Sequence, residues 1–198
     1  HVMVEEACKG LAGVSASQVE IQSGIQFYDG ISTAEIQEIL IRSASDLIDL
    51  DHVNYQYVAA RLLLFSLRKQ VFGRIHDHPL LIDHVKLNIE KRVYDAEILD
   101  LYTEEEFSKL QGFIDHDRDY IFTYAGLRQV VDKYLVQDRS TGELYESPQF
   151  MYLLISATIF AKYPKETRLD YVKKYYDAIS KHRINIPTPI MAGVRTPI

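Results

Sequence analysis

Apolar residues recur three and four apart through the first third of the chain, and Ile36, Ile39, Leu40, Ala44, Leu47 and Ile48 form one stripe behind Ser32-x-x-Glu35. That spacing turns one helix face toward a core, and the Ser/Glu pair is the sequence form of a capping box. Ser15-x-x-Gln18 and Ser17-x-x-Glu20 overlap ahead of a short helix expected to run to about Phe27, and Tyr28-Asp29-Gly30 makes a turn. Asn54 is expected to cap a strong helix through Leu62, Leu63, Phe65, Leu67 and Phe72, stopped at Gly73. Together with the helical opening HVMVEEACKGL, these segments predict four short helices joined by tight turns.

Arg74–Pro79 (RIHDHP) reads as a linker to a second unit. Helices are expected near Leu81–Arg92, around Ala96–Leu101, after the capping box Thr103-x-x-Glu106, and over Tyr124–Lys133. Residues 134–137 and 143–145 flank Arg139-Ser140-Thr141-Gly142 in the pattern of a small β-hairpin. Pro148 and Pro164 bracket an apolar helix, Gln149–Tyr163, shorter than the ~20 residues needed to cross a bilayer and therefore read as a buried central helix. A last helix, Thr167–Lys181, leads into extended chain over Ile184–Pro189. The chain opens inside a helix without an initiator Met and stops at Gly193–Ile198 without capping character, so a piece of a longer polypeptide is expected.

Composition narrows the class only. The 198 residues are 47% hydrophobic with a formal net charge of −6 and a single cysteine, Cys8. This excludes disorder and a disulfide scaffold and fits a reducing compartment, hence the cytoplasm. The acidic balance disfavours nucleic-acid binding. Residues 162–195 are the exception, with eight Lys/Arg against three acids, either a solvated basic face or the neighbourhood of an anionic ligand.

No Gly-rich phosphate loop and no H-E-x-x-H motif occurs. His76, His78 and His84, and the run Asp115, Asp117 and Asp119, are read as linker and loop in preference to metal ligands, so no metal is expected. Cys8 lies at helical spacing with Val4 and Leu11 and is read as a small apolar side chain, not a nucleophile. Two features carry chemical content. Ser32 and Thr33 offer hydroxyls and backbone N–H groups at a helix N-terminus, and Arg68-Lys69 place cations near the end of the following helix. Pro187-Thr188-Pro189 fixes a hydroxyl on a rigid segment. A cap with a solvated lysine, and a simple helix stop, are the plain alternatives.

Seven strings in uninterrupted order, IQFYDGISTAEIQEILIRSASDLI, YQYVAARLLLFSLRKQVFG, YTEEEF, FIDHDRD, KYLVQDRSTGELYESPQFMYLLISATIF, YPKETRLDYVKKYYDAIS and PTPIMAGVRTP, resemble the amino-terminal part of the large (alpha, catalytic) subunit of bacterial class Ia ribonucleoside-diphosphate reductase. The resemblance implies a mainly α fold. Residues 1–73 would be a four-helix ATP-cone lacking its N-terminal β-hairpin, 74–79 a linker, and 80–198 the α-helical N-terminal domain with one small β-hairpin, ending at the edge of the catalytic barrel. It also implies ATP and dATP as allosteric effectors, with Thr33 and Lys69 matching cone contacts. Gln37 stands where the best-known members carry His. Thr188 matches the position that helps bind the phosphates of the ribonucleoside diphosphate. The implied partners are the small (beta) subunit with its diiron-tyrosyl radical, a second large subunit, and thioredoxin or glutaredoxin. The family's thiyl-radical chemistry needs several thiols, and Cys8 matches none of them. No catalytic residue is therefore expected in these 198 residues, which alone should be inactive. A non-catalytic cone module of a regulator and a purely structural helical domain are the competing readings.

Overall fold

A computed structural model describes residues 1–24 and 26–197; Ile25, inside the expected second helix, and the terminal Ile198 lie outside the described residues. The architecture is α-helical, and it divides into two compact units, His1–Lys69 with Tyr120–Val131, and Gln70–Asp119 with Asp132–Ile198. No described helix is long and apolar enough to cross a membrane.

In the first unit, α1 (Val2–Cys8), α2 (Ala16–Gly24), α3 (Thr33–Asp46) and the greater part of α4 (Tyr55–Phe72) follow the predicted order. The Ser32 capping box forms: its hydroxyl accepts from the Glu35 N–H at 3.2 Å, and its own N–H donates to the Glu35 carboxylate at 2.9 Å. Replacing Ser32 by alanine should cost about 1 kcal/mol, read as a lower urea midpoint at unchanged slope. Asn54 immediately precedes α4, as expected, and its carbonyl accepts from the Val58 N–H at 3.3 Å. Its side-chain amide donates to the Ala12 carbonyl at 2.9 Å and so ties the start of α4 to the loop after α1. Gly73, at φ +75°, ends α4 in the left-handed region that a side chain disfavours.

The segment Tyr120–Val131 includes α8 (Tyr124–Gln129), whose Leu127 is fully buried. Tyr120 explains why this segment joins the first unit. Its ring lies 5.3 Å from the Arg61 guanidinium and 5.6 Å from that of Arg68, with Phe65 edge-on at 6.4 Å. Arg68 is 2% exposed, so of the two adjacent cations seen in the sequence only Lys69 is on the surface.

The second unit contains α5 (Leu81–Glu90), α6 (Glu97–Leu101), α7 (Glu104–Phe113), α9 (Pro148–Phe160), α10 (Arg168–Ser180) and α11 (Thr188–Gly193). Helix α9 buries ten consecutive side chains, from Pro148 through Ala157, as a helix apolar on all sides must. Helix α10 packs along it. The Thr103 capping box at α7 forms as expected, and its Glu106 has a second task. Both carboxylate oxygens accept from Arg168, at 2.9 and 2.7 Å, while that guanidinium also donates to the Leu101 and Ala161 carbonyls and lies 4.3 Å from the Tyr102 ring centroid.

Three expectations need correction. The helix predicted over Tyr124–Lys133 becomes π-helical over Val130–Tyr134. The hairpin shrinks to one antiparallel bridge, Gln137 to Leu144, because Asp138 turns the chain locally by accepting from the Ser140 N–H and hydroxyl at 2.8 and 2.6 Å. The extended segment ends early, since α11 begins at Thr188, with Pro189 tolerated in its first turn where no intrahelical N–H is needed.

Candidate functional site

One hydrogen bond links the two helices that carry the residues singled out in the first unit. The Ser66 hydroxyl on α4 donates to the Gln37 side-chain oxygen on α3 at 3.2 Å. Thr33 lies one turn before Gln37 on α3, and Lys69 one turn after Ser66 on α4. Thr33 and Lys69 are exposed and Gln37 is half-buried. With its oxygen taken by Ser66, Gln37 keeps its NH2 group for an acceptor.

The helix N-terminus itself is less available than its sequence suggests. The Glu35 carboxylate accepts from the Ser32 hydroxyl at 2.7 Å, from the Ser32 N–H, and from the Tyr28 hydroxyl at 3.0 Å. Those bonds, led by the Ser32 hydroxyl, hold its pKa below the usual carboxylate value. A full negative charge therefore already sits where an anion would be drawn by the α3 dipole. Of the three side chains only Lys69 offers a positive charge, while Thr33 and Gln37 offer neutral hydrogen bonds.

In the second unit Thr188 is the first residue of α11 and is exposed, its hydroxyl 3.4 Å from that of Tyr134. Beneath it lies a buried polar network that no local sequence pattern announces. Arg195 meets both oxygens of the fully buried Glu146 through Nε, at 3.0 and 2.9 Å, and again through Nη2. Glu146 also accepts from the Tyr94 hydroxyl and from the Val136 N–H at 2.9 Å. His84 Nε2 lies 3.0 Å from the Tyr94 hydroxyl and 3.3 Å from the Asn88 side-chain nitrogen, inside the same network. Burial lowers the His84 pKa to about 4, against a smaller opposing pull from Glu146.

His84 is thus a neutral core group, not a companion ligand of His76 and His78. His78 stacks on His116 with ring centroids 3.6 Å apart. Asp115, Asp117 and Asp119 do not converge either: Asp119 is buried, accepting from the Gln149 side chain at 2.9 Å. Among the described residues no group of three or more His, Cys, Asp or Glu is arranged to hold a metal ion. The basic stretch 162–195 is partly neutralised, since Arg168 and Arg195 pair with Glu106 and Glu146 from earlier in the chain and Lys173 pairs with Asp177. Cys8 is half-buried, and burial raises its thiol pKa more than Arg61 lowers it. It is a poor nucleophile.

Comparison with known proteins locates these two regions. The ATP cone domain family matches residues 2–70, and the family described as ribonucleotide reductase, all-alpha domain, matches residues 120–198. The ribonucleoside-diphosphate reductase subunit alpha of Haemophilus influenzae is 57% identical over 197 residues, and the reductase 1 subunit alpha of Escherichia coli is 54% identical over 197. The corresponding subunit of Enterobacteria phage T4 is 42% identical over 187 residues, 93% of this chain and 24% of its own length. The two bacterial alignments cover all of this chain and 26% of each relative, so the chain spans about a quarter of their length.

Proposed function

Because the chain belongs to the ribonucleoside-diphosphate reductase alpha-subunit family, we propose that its first unit senses the ATP/dATP balance and that its second supplies one contact to the substrate's phosphates. The observation that carries the sensing role is the Ser66–Gln37 hydrogen bond, which joins α3, carrying Thr33 and Gln37, to α4, carrying Lys69. Their donor set fits a nucleotide. An ammonium meets phosphate oxygens as a mobile point charge, and a hydroxyl with an amide meets ribose or base. Effector control is then a matter of linkage: dATP favours an inhibited assembly only to the extent that it binds that assembly more tightly than the active one.

The parent subunit acts in the cytoplasm on ribonucleoside diphosphates, as a dimer, with a small subunit that supplies the radical and thioredoxin or glutaredoxin as reductant. That chemistry uses several thiols. Cys8, half-buried in the first unit, is not one of them. The part played by these 198 residues is regulation and positioning, and alone they should reduce no ribonucleotide. A cone module fused to a transcriptional regulator is disfavoured by the match of residues 120–198 to the reductase all-alpha domain.

Calorimetric titration tests the site. Lys69→Ala should weaken ATP binding about tenfold or more, the worth of one charge-assisted hydrogen bond, and Thr33→Ala several-fold less. Unchanged affinity in Lys69→Ala would remove the residue from the site.

A further inference from the structure

Thr188 opens a six-residue helix, α11, that buries none of its own side chains, so its position must be fixed from outside. The Arg195 guanidinium, 4% exposed, does part of this. Through Nη1 it donates to the Met191 carbonyl on α11 at 2.6 Å, and through Nη2 to the Tyr134 carbonyl at 3.0 Å, while Glu146 holds its other edge. This planar fork joins α11 to the last residue of the π-helical turn. Arg139 fastens the same turn by donating to the carbonyls of Asp132 and Lys133, at 2.6 and 3.1 Å. Turns of this kind are rare and concentrate at functional sites. This one ends on Tyr134, half-buried, with its hydroxyl 3.4 Å from that of Thr188.

We propose that Tyr134 is a positioning residue for substrate binding: its hydroxyl orients that of Thr188 toward a phosphate group of the ribonucleoside diphosphate. The proposal rests on the reading of Thr188 as a phosphate contact. A phosphate oxygen accepts hydrogen bonds, and a threonine hydroxyl has one hydrogen to give. When Tyr134 donates to Thr188 Oγ1, that hydrogen is directed away from Tyr134 and kept for the substrate. A hydroxyl that accepts one hydrogen bond is also polarised into a better donor.

The test is steady-state kinetics of the full-length subunit with its small subunit and reductant, in a double-mutant cycle. Tyr134→Phe keeps the ring and should raise the KM for a ribonucleoside diphosphate about threefold, with kcat within about twofold of its starting value. Thr188→Ala should raise KM more, about tenfold, and adding Tyr134→Phe to it should change nothing further. An unchanged KM in Tyr134→Phe overturns the proposal while leaving Thr188 in place. A further rise in the double variant overturns it too, since Tyr134 would then act on the substrate directly or through general loosening. An unchanged KM in Thr188→Ala instead defeats the underlying assignment of Thr188, and the two failures are thereby distinguished.

Discussion

Replacing Glu146 with alanine is expected to destabilise the second unit by about 3–5 kcal/mol and to lower its melting temperature by roughly 10 °C. Glu146 is fully buried, and Arg195 is 4% exposed. Removing the carboxylate strands the guanidinium in a low-dielectric interior and leaves the Tyr94 hydroxyl and the Val136 N–H without their acceptor. Arg195→Ala should be comparably damaging, because it leaves the carboxylate uncompensated and frees the carbonyls of Tyr134 and Met191. The pair Glu146→Leu with Arg195→Met removes both charges at once. It should be less destabilised than Glu146→Ala, though short of the starting protein because the backbone groups remain unpaired. Thermal and urea melts of the starting protein, Glu146→Leu, Arg195→Met and the double variant give the coupling energy, and strict additivity would show that the two groups do not act as a pair.

The same network makes stability depend on acid. His84 titrates near 6.5 when unfolded and at about 4 when buried, because desolvation penalises the imidazolium. Between those values the unfolded chain binds a proton that the folded one refuses. Its contribution is therefore complete above about pH 6.5 and is lost progressively as the pH falls toward about 4, a swing of about 3 kcal/mol. Urea midpoints at pH 7.5 and pH 4.5 should differ markedly more for the starting protein than for His84→Gln. Equal differences would place the acid sensitivity elsewhere.

Much of the helical order is legible in the sequence, because caps and apolar spacing are local. Ser32-x-x-Glu35 and Thr103-x-x-Glu106 form the boxes their spacing implies, and Gly73 ends α4. What escapes such reading depends on residues far apart in the chain. Glu146 and Arg195 are 49 positions apart, and Glu106 and Arg168 are 62 apart. Only folding shows that Arg195 is a buried anchor and not part of a solvated basic tail. The π-helical turn escapes for another reason: Val130–Tyr134 continues an ordinary apolar pattern, and its extra residue per turn is fixed by contacts such as those of Arg139 with the carbonyls of Asp132 and Lys133. In the site of the first unit, Thr33 and Lys69 could be named from resemblance. That the Tyr28 hydroxyl also donates to the Glu35 carboxylate at that helix N-terminus is set by the folded chain.

The nucleotide site proposed for the first unit comprises Thr33, Gln37 and Lys69. Its most direct test is an amide NMR titration of the 15N-labelled chain with ATP and with dATP. Saturable shifts should gather on Thr33, Gln37, Lys69 and their neighbours, and Lys69→Ala should abolish or greatly weaken them. Saturable shifts centred elsewhere, or none at nucleotide concentrations of about 10 mM, beyond the millimolar range of weak sites, would contradict it.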